Sequence, residues 1–414
     1  MRRPLLLLAA MAAVLLVWAG GALTQSPPQG SSEKPADDGP TTTSSPAVDD
    51  AQRLTPIVGE VRHAPVPFDG SDGRTHLVYE LEATNYTGGK TTIKKLKVLD
   101  ADTGEVVDAL GAKGVASRLQ PAGLRSTVDA LAPSMAATVF LHVSFEEADR
   151  VPDRLVHRLV VEAEAAPPDQ RRVTEKVAPT DVDRRRVAVV GPPLRGKNFV
   201  AADSCCDATR HTRAVLPING QVWLAQRYAV DYEQLDAGSR FFRGEKEELE
   251  NWKIYGKKAL AVADGTVVKV IDGLPEQVPG VFPENISVEE ADGNAVILDI
   301  GGGNHALYAH FQPGSIPVEE GDRVQRGQVL GLVGNSGNSL APHLHFHVMS
   351  TPLALASNGL PYEVDSFTLT GQTPGTEAFD EAEDKGTPLE VTPIEPPKAV
   401  TDAMPLDQNV VRFD

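Results

Sequence analysis

The residues best suited to chemistry gather in one short run, PHLHFHVMS at 342–350, where His343, His345 and His347 alternate with Leu344, Phe346 and Val348. In a β-strand successive side chains point to opposite faces, so this alternation puts the imidazoles on one face and the apolar residues on the other. Imidazole ligates zinc and moves protons near neutral pH, so such a face could form half of a metal site. Without partners the same run would read as a solvated sheet face. A catalytic zinc needs about three protein ligands and an open position, with further groups to transfer protons and stabilise charge. LYAHF supplies one more imidazole, His310, near a strand end.

Those side chains need a scaffold, and the 414 residues allow about two domains with linkers. The formal net charge of −18, with no long basic run, argues against nucleic acid as a partner. The N-terminus, MRRPLLLLAAMAAVLLVWAGGALTQS, has two arginines, an apolar run and then small residues. That order predicts export through residues 1–24, as a cleaved signal peptide or a retained signal anchor. The body would then be periplasmic, in the cell envelope or extracellular. Residues 25–53 are rich in Pro, Ser, Thr, Gly and Asp and read as a disordered linker.

From 54 to 164, runs such as THLVYELEATNY and ATVFLHVSF alternate between apolar and polar residues and are separated by turn residues. They predict a β-sandwich of immunoglobulin type. His63, His76, His142 and His157 fall here without metal-ligand spacing and read as structural. NYT at Asn85 matches a glycosylation acceptor. Residues 165–186 read as a second linker, 187–369 as a second β-rich domain, and 370–414, dominated by Pro, Glu, Asp and Thr, as a surface or disordered tail. Within the second domain Asn219-Gly220 predicts a tight hairpin. Gly301 to Gly303 reads as a hairpin turn, since no helix pattern follows it. The two cysteines, Cys205 and Cys206, are adjacent. They read as a strained vicinal bridge, two structural thiols, or soft metal ligands.

The stretches ALAVADGTVVKV, YAHFQPGSI, GDRVQRGQVLGLVGNSGNS and PHLHFHV, in that order and spacing, resemble the M23 metallopeptidases, the lysostaphin and LytM-like cell-wall endopeptidases. The resemblance covers about Val187 to Leu369. It implies an M23-type (LytM-like) antiparallel β domain there, so that the chain reads as mostly β: the immunoglobulin-like sandwich predicted from the alternating runs, followed by the M23-type domain. It also implies zinc as cofactor and the peptides of peptidoglycan as substrate. Carried over by position, His345 and Asp231 in QRYAVDY match metal ligands, and His343 and His310 match catalytic histidines.

The remaining ligand belongs four residues before Asp231, where this chain has Arg227. An always-charged guanidinium cannot coordinate zinc. His211 or His347 could substitute. If the hairpin pairing ran on ideally, however, His211 would oppose Tyr228 and face away from Asp231 unless a bulge intervened. His347, where the family more often has glutamate, would otherwise be a half-exposed sheet residue. In the alternative reading the metal is lost, Arg227 pairs with Asp231, and the chain is a binding or regulatory module acting with a partner cell-wall hydrolase.

Overall fold

Alternating sequence becomes strand throughout residues 53–414, the part of the chain that the computed structural model describes. The expected export segment and the linker as far as residue 52 lie outside the described residues. No helix among the described residues is long and apolar enough to cross a membrane.

The first half is two antiparallel sheets around one core. One sheet orders Ile57–Val61, Thr75–Asn85, Ala136–Phe145 and Leu119–Pro121, with Phe68–Asp69 added on Thr75–Asn85. The other orders Val106–Gly111, Thr91–Asp100, Arg154–Ala163 and Arg172–Asp181. Every second residue of the longest strands, among them Leu77, Tyr79, Leu81, Leu96, Val98, Val139, Leu141, Leu159 and Val161, enters the shared core. The stretch expected as a linker therefore gives the sandwich its last strand: Arg172–Asp181 pairs along Arg154–Ala163. Its many charges had concealed this: Arg172, Lys176 and Asp181 are exposed, while Val177 and Ala178 are buried and Glu175, also buried, accepts from the Ile57 backbone N–H. Asn85 is fully buried, and its amide donates to the carbonyls of Gly89, Leu131 and Ala132. It ties a turn together and is not a surface glycan acceptor.

The second half is built on an eleven-strand antiparallel sheet. Its centre runs Gly265–Ile271, Asn294–Gly301, Asn304–Phe311, Leu344–Met349, Val230–Gln234 and Gly196–Ala202. The sheet then continues into Asn409–Phe413, Phe367–Gln372 and Thr392–Val400. The expected tail is thus part of the fold. Asn409–Phe413 lies between Gly196–Ala202 and Phe367–Gln372, with Val410, Val411 and Phe413 buried. The proline-rich Thr392–Val400 is tolerated because it lies at the sheet edge, where one row of backbone N–H groups needs no partner. Helix Thr376–Lys385 packs Phe379 and Ala382 into a satellite core with Phe241, Phe242 and Trp252.

The Asn219-Gly220 turn is present, with Ile218 opposite Gln221 and both turn residues at positive φ. Pairing stops after three residues, however, and the chain on the Arg213 side becomes the short helix Thr209–Thr212. The register that placed His211 opposite Tyr228 therefore does not exist. Cys205 and Cys206 are bridged to each other, with S–S 2.11 Å across a cis peptide that brings the α-carbons to 3.0 Å.

The halves meet through polar contacts that are specific and buried. Arg227 sits in the turn before Val230–Gln234, not on the strand itself, and forks onto Glu80 of the sandwich with N–O distances of 2.8 and 2.6 Å. Both side chains are nearly fully buried. The expected pairing with Asp231 is thus replaced by an interdomain ion pair, because the turn aims the guanidinium at the strand Thr75–Asn85. Beside it, Tyr228 donates its hydroxyl to the Val78 carbonyl.

Candidate metal centre

The centre forms where three neighbouring strands and one helical turn converge. Leu344–Met349 is the middle strand, pairing Val230–Gln234 on one side and Asn304–Phe311 on the other. In this register Asp231 lies directly opposite His345, and Ala309 opposes His345 from the other edge. Direct cross-strand neighbours share a face, so the carboxylate and the imidazole must meet. Their intervening residues, Val230, Leu344 and Phe346, turn into the main core.

The Asp231 carboxylate is the hub. His345 Nδ1 lies 2.8 Å from Oδ1, His343 Nε2 3.4 Å from Oδ1, and His211 Nε2 3.3 Å from Oδ2. Ring centroids of His310 lie 4.6 Å from His343 and 5.8 Å from His345. His310 reaches inward because the register slips between its strand and Asn294–Gly301, and its φ of 64° turns the side chain off the regular pleat. His211, His345, His310, His343 and Asp231 are therefore all brought together. Arg227 is not.

The outward nitrogens are pinned one by one. His211 Nδ1 donates to the Asp203 carbonyl at 2.9 Å, His310 Nδ1 to Ser336 at 2.7 Å, and His343 Nδ1 to Ala341 at 2.8 Å. Each of these imidazoles thus presents an Nε2 lone pair to the centre when neutral. His345 is reversed: its Nδ1 faces Asp231 and its Nε2 meets His347 Nδ1 at 2.9 Å. His347 is fully buried, not half exposed, and its own Nε2 has no partner. It stands behind His345, on the far side of the ring from Asp231.

Electrostatics follow from this packing. Burial opposes ionisation of Asp231, but His211 and His343 outweigh it and hold the carboxyl well below its usual range. Burial likewise opposes charge on His211, yet the Asp231 carboxylate raises it to about 9. Burial, with His343 and His345 adding repulsion, keeps His310 neutral well below its ordinary value. Glu233, two residues along the strand from Asp231, is buried and pushed well above the usual carboxyl range by burial and by Glu383. It escapes notice in the sequence because Glu383 and Asp380, two of the acidic groups that act on it, come from the distant helix Thr376–Lys385.

Two imidazole nitrogens and one carboxylate oxygen, from His211, Asp231 and His345, lie within 4.8 Å of one another. A second group of three is His310, His343 and His345. The first set has the donor chemistry of a catalytic zinc site, two nitrogens and one oxygen, with supporting hydrogen bonds behind both histidines. Asp231 and His343 are also the least buried members, so the fourth side of the centre faces solvent.

His211 is held from the sandwich. Arg125 donates to the carbonyls of Arg213, Arg210 and Thr209, at 2.7, 3.0 and 3.5 Å, and so caps the C-terminal end of the turn that carries His211. Nothing in the local sequence signals this contact, since the partners are more than 80 residues apart.

Residues 253–357 match the family described as Peptidase family M23. The peptidoglycan DD-endopeptidase ShyA of Vibrio cholerae is 39% identical over 57 residues, which are 14% of this chain and 13% of that protein. The DD-carboxypeptidase/endopeptidase Mpg of Neisseria meningitidis is 38% identical over 71 residues, 17% of this chain and 16% of that protein. The matches thus span less than a fifth of those relatives' length. Among solved structures, the catalytic domain of the prophage-encoded M23 protein EnpA from Enterococcus faecalis is 17% identical with a TM-score of 0.24, covering 41% of this chain and 92% of that one. The catalytic domain of lysostaphin from Staphylococcus simulans is 22% identical with a TM-score of 0.20, covering 37% and 82%. The matched stretch contains His310, His343 and His345, while His211 and Asp231 lie upstream of it. The chain thus carries a domain of peptidase family M23 over residues 253–357.

Proposed function

We propose that this protein is a zinc metallopeptidase that hydrolyses peptide cross-links of peptidoglycan outside the cytoplasm. The observation that carries the reading is the approach of His211 to Asp231, 3.3 Å, beside His345. It supplies the third donor that Arg227 cannot. Zinc held by His211, Asp231 and His345 would provide Lewis-acid polarisation of the scissile carbonyl and a water nucleophile at neutral pH.

The remaining groups handle protons. His343 presents Nε2 inward with its Nδ1 fixed on Ala341, and Asp231 at 3.4 Å stabilises it when it gains a proton. It is therefore assigned to take the proton of the attacking water and return it to the leaving amine. His310 is fixed by Ser336 and kept neutral by burial, so it accepts a hydrogen bond from the water and orients it. His345 is kept in one tautomer by His347. The sandwich, whose strand order supports the immunoglobulin-type reading, holds His211 through Arg125 and the Asp231 strand through Arg227. The metal-free reading loses its motive, because Arg227 is engaged by Glu80 and leaves Asp231 to the histidines.

The test is zinc content and cleavage of purified cross-linked muropeptides by the wild type and His211→Ala. The wild type is expected to hold one zinc at this centre and to cleave. The variant should lose on the order of 100-fold or more in zinc affinity, along with its activity. Unchanged zinc binding and turnover in His211→Ala would remove the assignment.

A further inference from the structure

Where the sandwich meets the segment leading into His211, four side chains form a line: Asp72, His76, His142 and Asp207. His76 Nε2 is 3.1 Å from Asp72 Oδ1, His76 Nδ1 is 2.9 Å from His142 Nε2, and His142 Nδ1 is 2.9 Å from Asp207 Oδ2. Each of these contacts needs a proton or a cation between its heavy atoms. A pair of imidazoles with one proton each fills two of the three contacts, so the line has room for one further cation, a proton or a metal ion. The inner pair, His76 Nδ1 and His142 Nε2, is where a cation fits, with both outer nitrogens anchored on carboxylates as metal-ligating histidines commonly are.

A third donor stands beside the pair. One nitrogen of each ring and the Cys206 Sγ lie within 4.8 Å of one another, and all three residues are mostly buried. Tetrahedral zinc, with bonds of about 2.0–2.1 Å to nitrogen and 2.3 Å to sulfur, needs nitrogen–nitrogen and nitrogen–sulfur separations of about 3.4–3.6 Å. The rings would move apart by only about half an ångström from their present 2.9 Å. The sulfur is now tied to Cys205, and a disulfide sulfur is a poor donor.

We propose that this junction is a second, redox-gated site for a soft divalent cation, ligated by His76, His142 and the Cys206 thiolate once the Cys205–Cys206 bridge is reduced. A dithiol supplies two electrons and two protons: the Cys205–Cys206 bond breaks, both sulfurs become thiols, and the dithiol leaves as its own disulfide. The Cys206 thiol then releases its proton to solvent as the cation binds, and the fourth position faces solvent beside the partly exposed His142. The site lies apart from the hydrolytic centre and stands independently of the peptidase reading.

Cobalt(II) separates the two centres, because the hydrolytic one contains no sulfur and only a thiolate gives cobalt a strong near-ultraviolet charge-transfer band. The full-length protein should show no such band as purified and one equivalent of it after treatment with a phosphine reductant. Cys205→Ser, which frees Cys206 without reductant, should show the band directly. His142→Ala and Cys206→Ser should lose it, and His211→Ala should keep it. The proposal is overturned if neither the reduced wild type nor Cys205→Ser develops the band, or if the band survives in reduced Cys206→Ser or His142→Ala.

Discussion

Replacing Arg227 by histidine would, on spacing alone, create a ligand four residues before Asp231. The structure gives the opposite expectation. Arg227 makes two charge-assisted hydrogen bonds to Glu80, at 2.8 and 2.6 Å, and the side chains are only 7% and 5% exposed. Removing one member of such a pair leaves the other charge buried without a partner, which costs about 3–5 kcal/mol. An imidazole in that turn cannot fork onto both oxygens of Glu80, so Arg227→His should lose most of that amount. Zinc affinity should stay within about threefold, since in the proposed site His211 provides the donor and three ligands with one open position complete the set. Glu80→Gln should be destabilising by a similar amount. Measured against Arg227→Met and Glu80→Met alone, the double replacement Arg227→Met with Glu80→Met should recover most of the loss, so that this cycle gives a coupling energy of at least about 3 kcal/mol. Urea unfolding followed by tryptophan fluorescence reads the stabilities, and competition with a chromophoric chelator reads the zinc affinity. Arg227→His with an unchanged urea midpoint and a tenfold or greater gain in zinc affinity would refute the reasoning.

Three further outcomes are expected. Arg125→Ala removes the cap on the turn holding His211 and should weaken zinc binding about tenfold while KM for a muropeptide changes little; equal zinc affinity in variant and wild type would show that the turn holds itself. His347→Leu frees the His345 tautomer and should cost about 10–100-fold in zinc affinity, with His347→Glu restoring most of it by accepting from His345 Nε2; failure of the glutamate to rescue counts against an orienting role. Burial raises Asp292 to about 6, so the folded state takes up the proton more readily than the unfolded state, and this group's contribution to stability falls as pH rises from about 4 to 6 and then levels. Asp292→Asn should therefore gain about 3 kcal/mol over the wild type at pH 7 relative to pH 4, and a pH-independent difference between the two would contradict this.

The chemistry of this protein was legible where it depends on residue type and local period. Alternation in PHLHFHVMS places His345 on the Asp231 side of its strand, and the ordered motifs mark the M23 domain. The Asn219-Gly220 turn was equally local, because positive φ at both positions depends on those two residues alone. What the sequence could not carry is every relation that runs through space between distant segments. His211 reaches Asp231 only because strand pairing ends at Leu216 and a helical turn, capped by Arg125 from the sandwich, re-aims the side chain. Arg227 was read against its sequence neighbour Asp231, yet its partner lies 147 residues away. His76 and His142 have no ligand spacing along the chain, but they sit diagonally on adjacent strands, where His76 opposes Ser144 and Val78 opposes His142. The last strand, Asn409–Phe413, hides behind proline and acid until the sheet supplies two neighbours for its backbone. Local pattern fixes which face a side chain occupies; the assembled sheets decide what it faces.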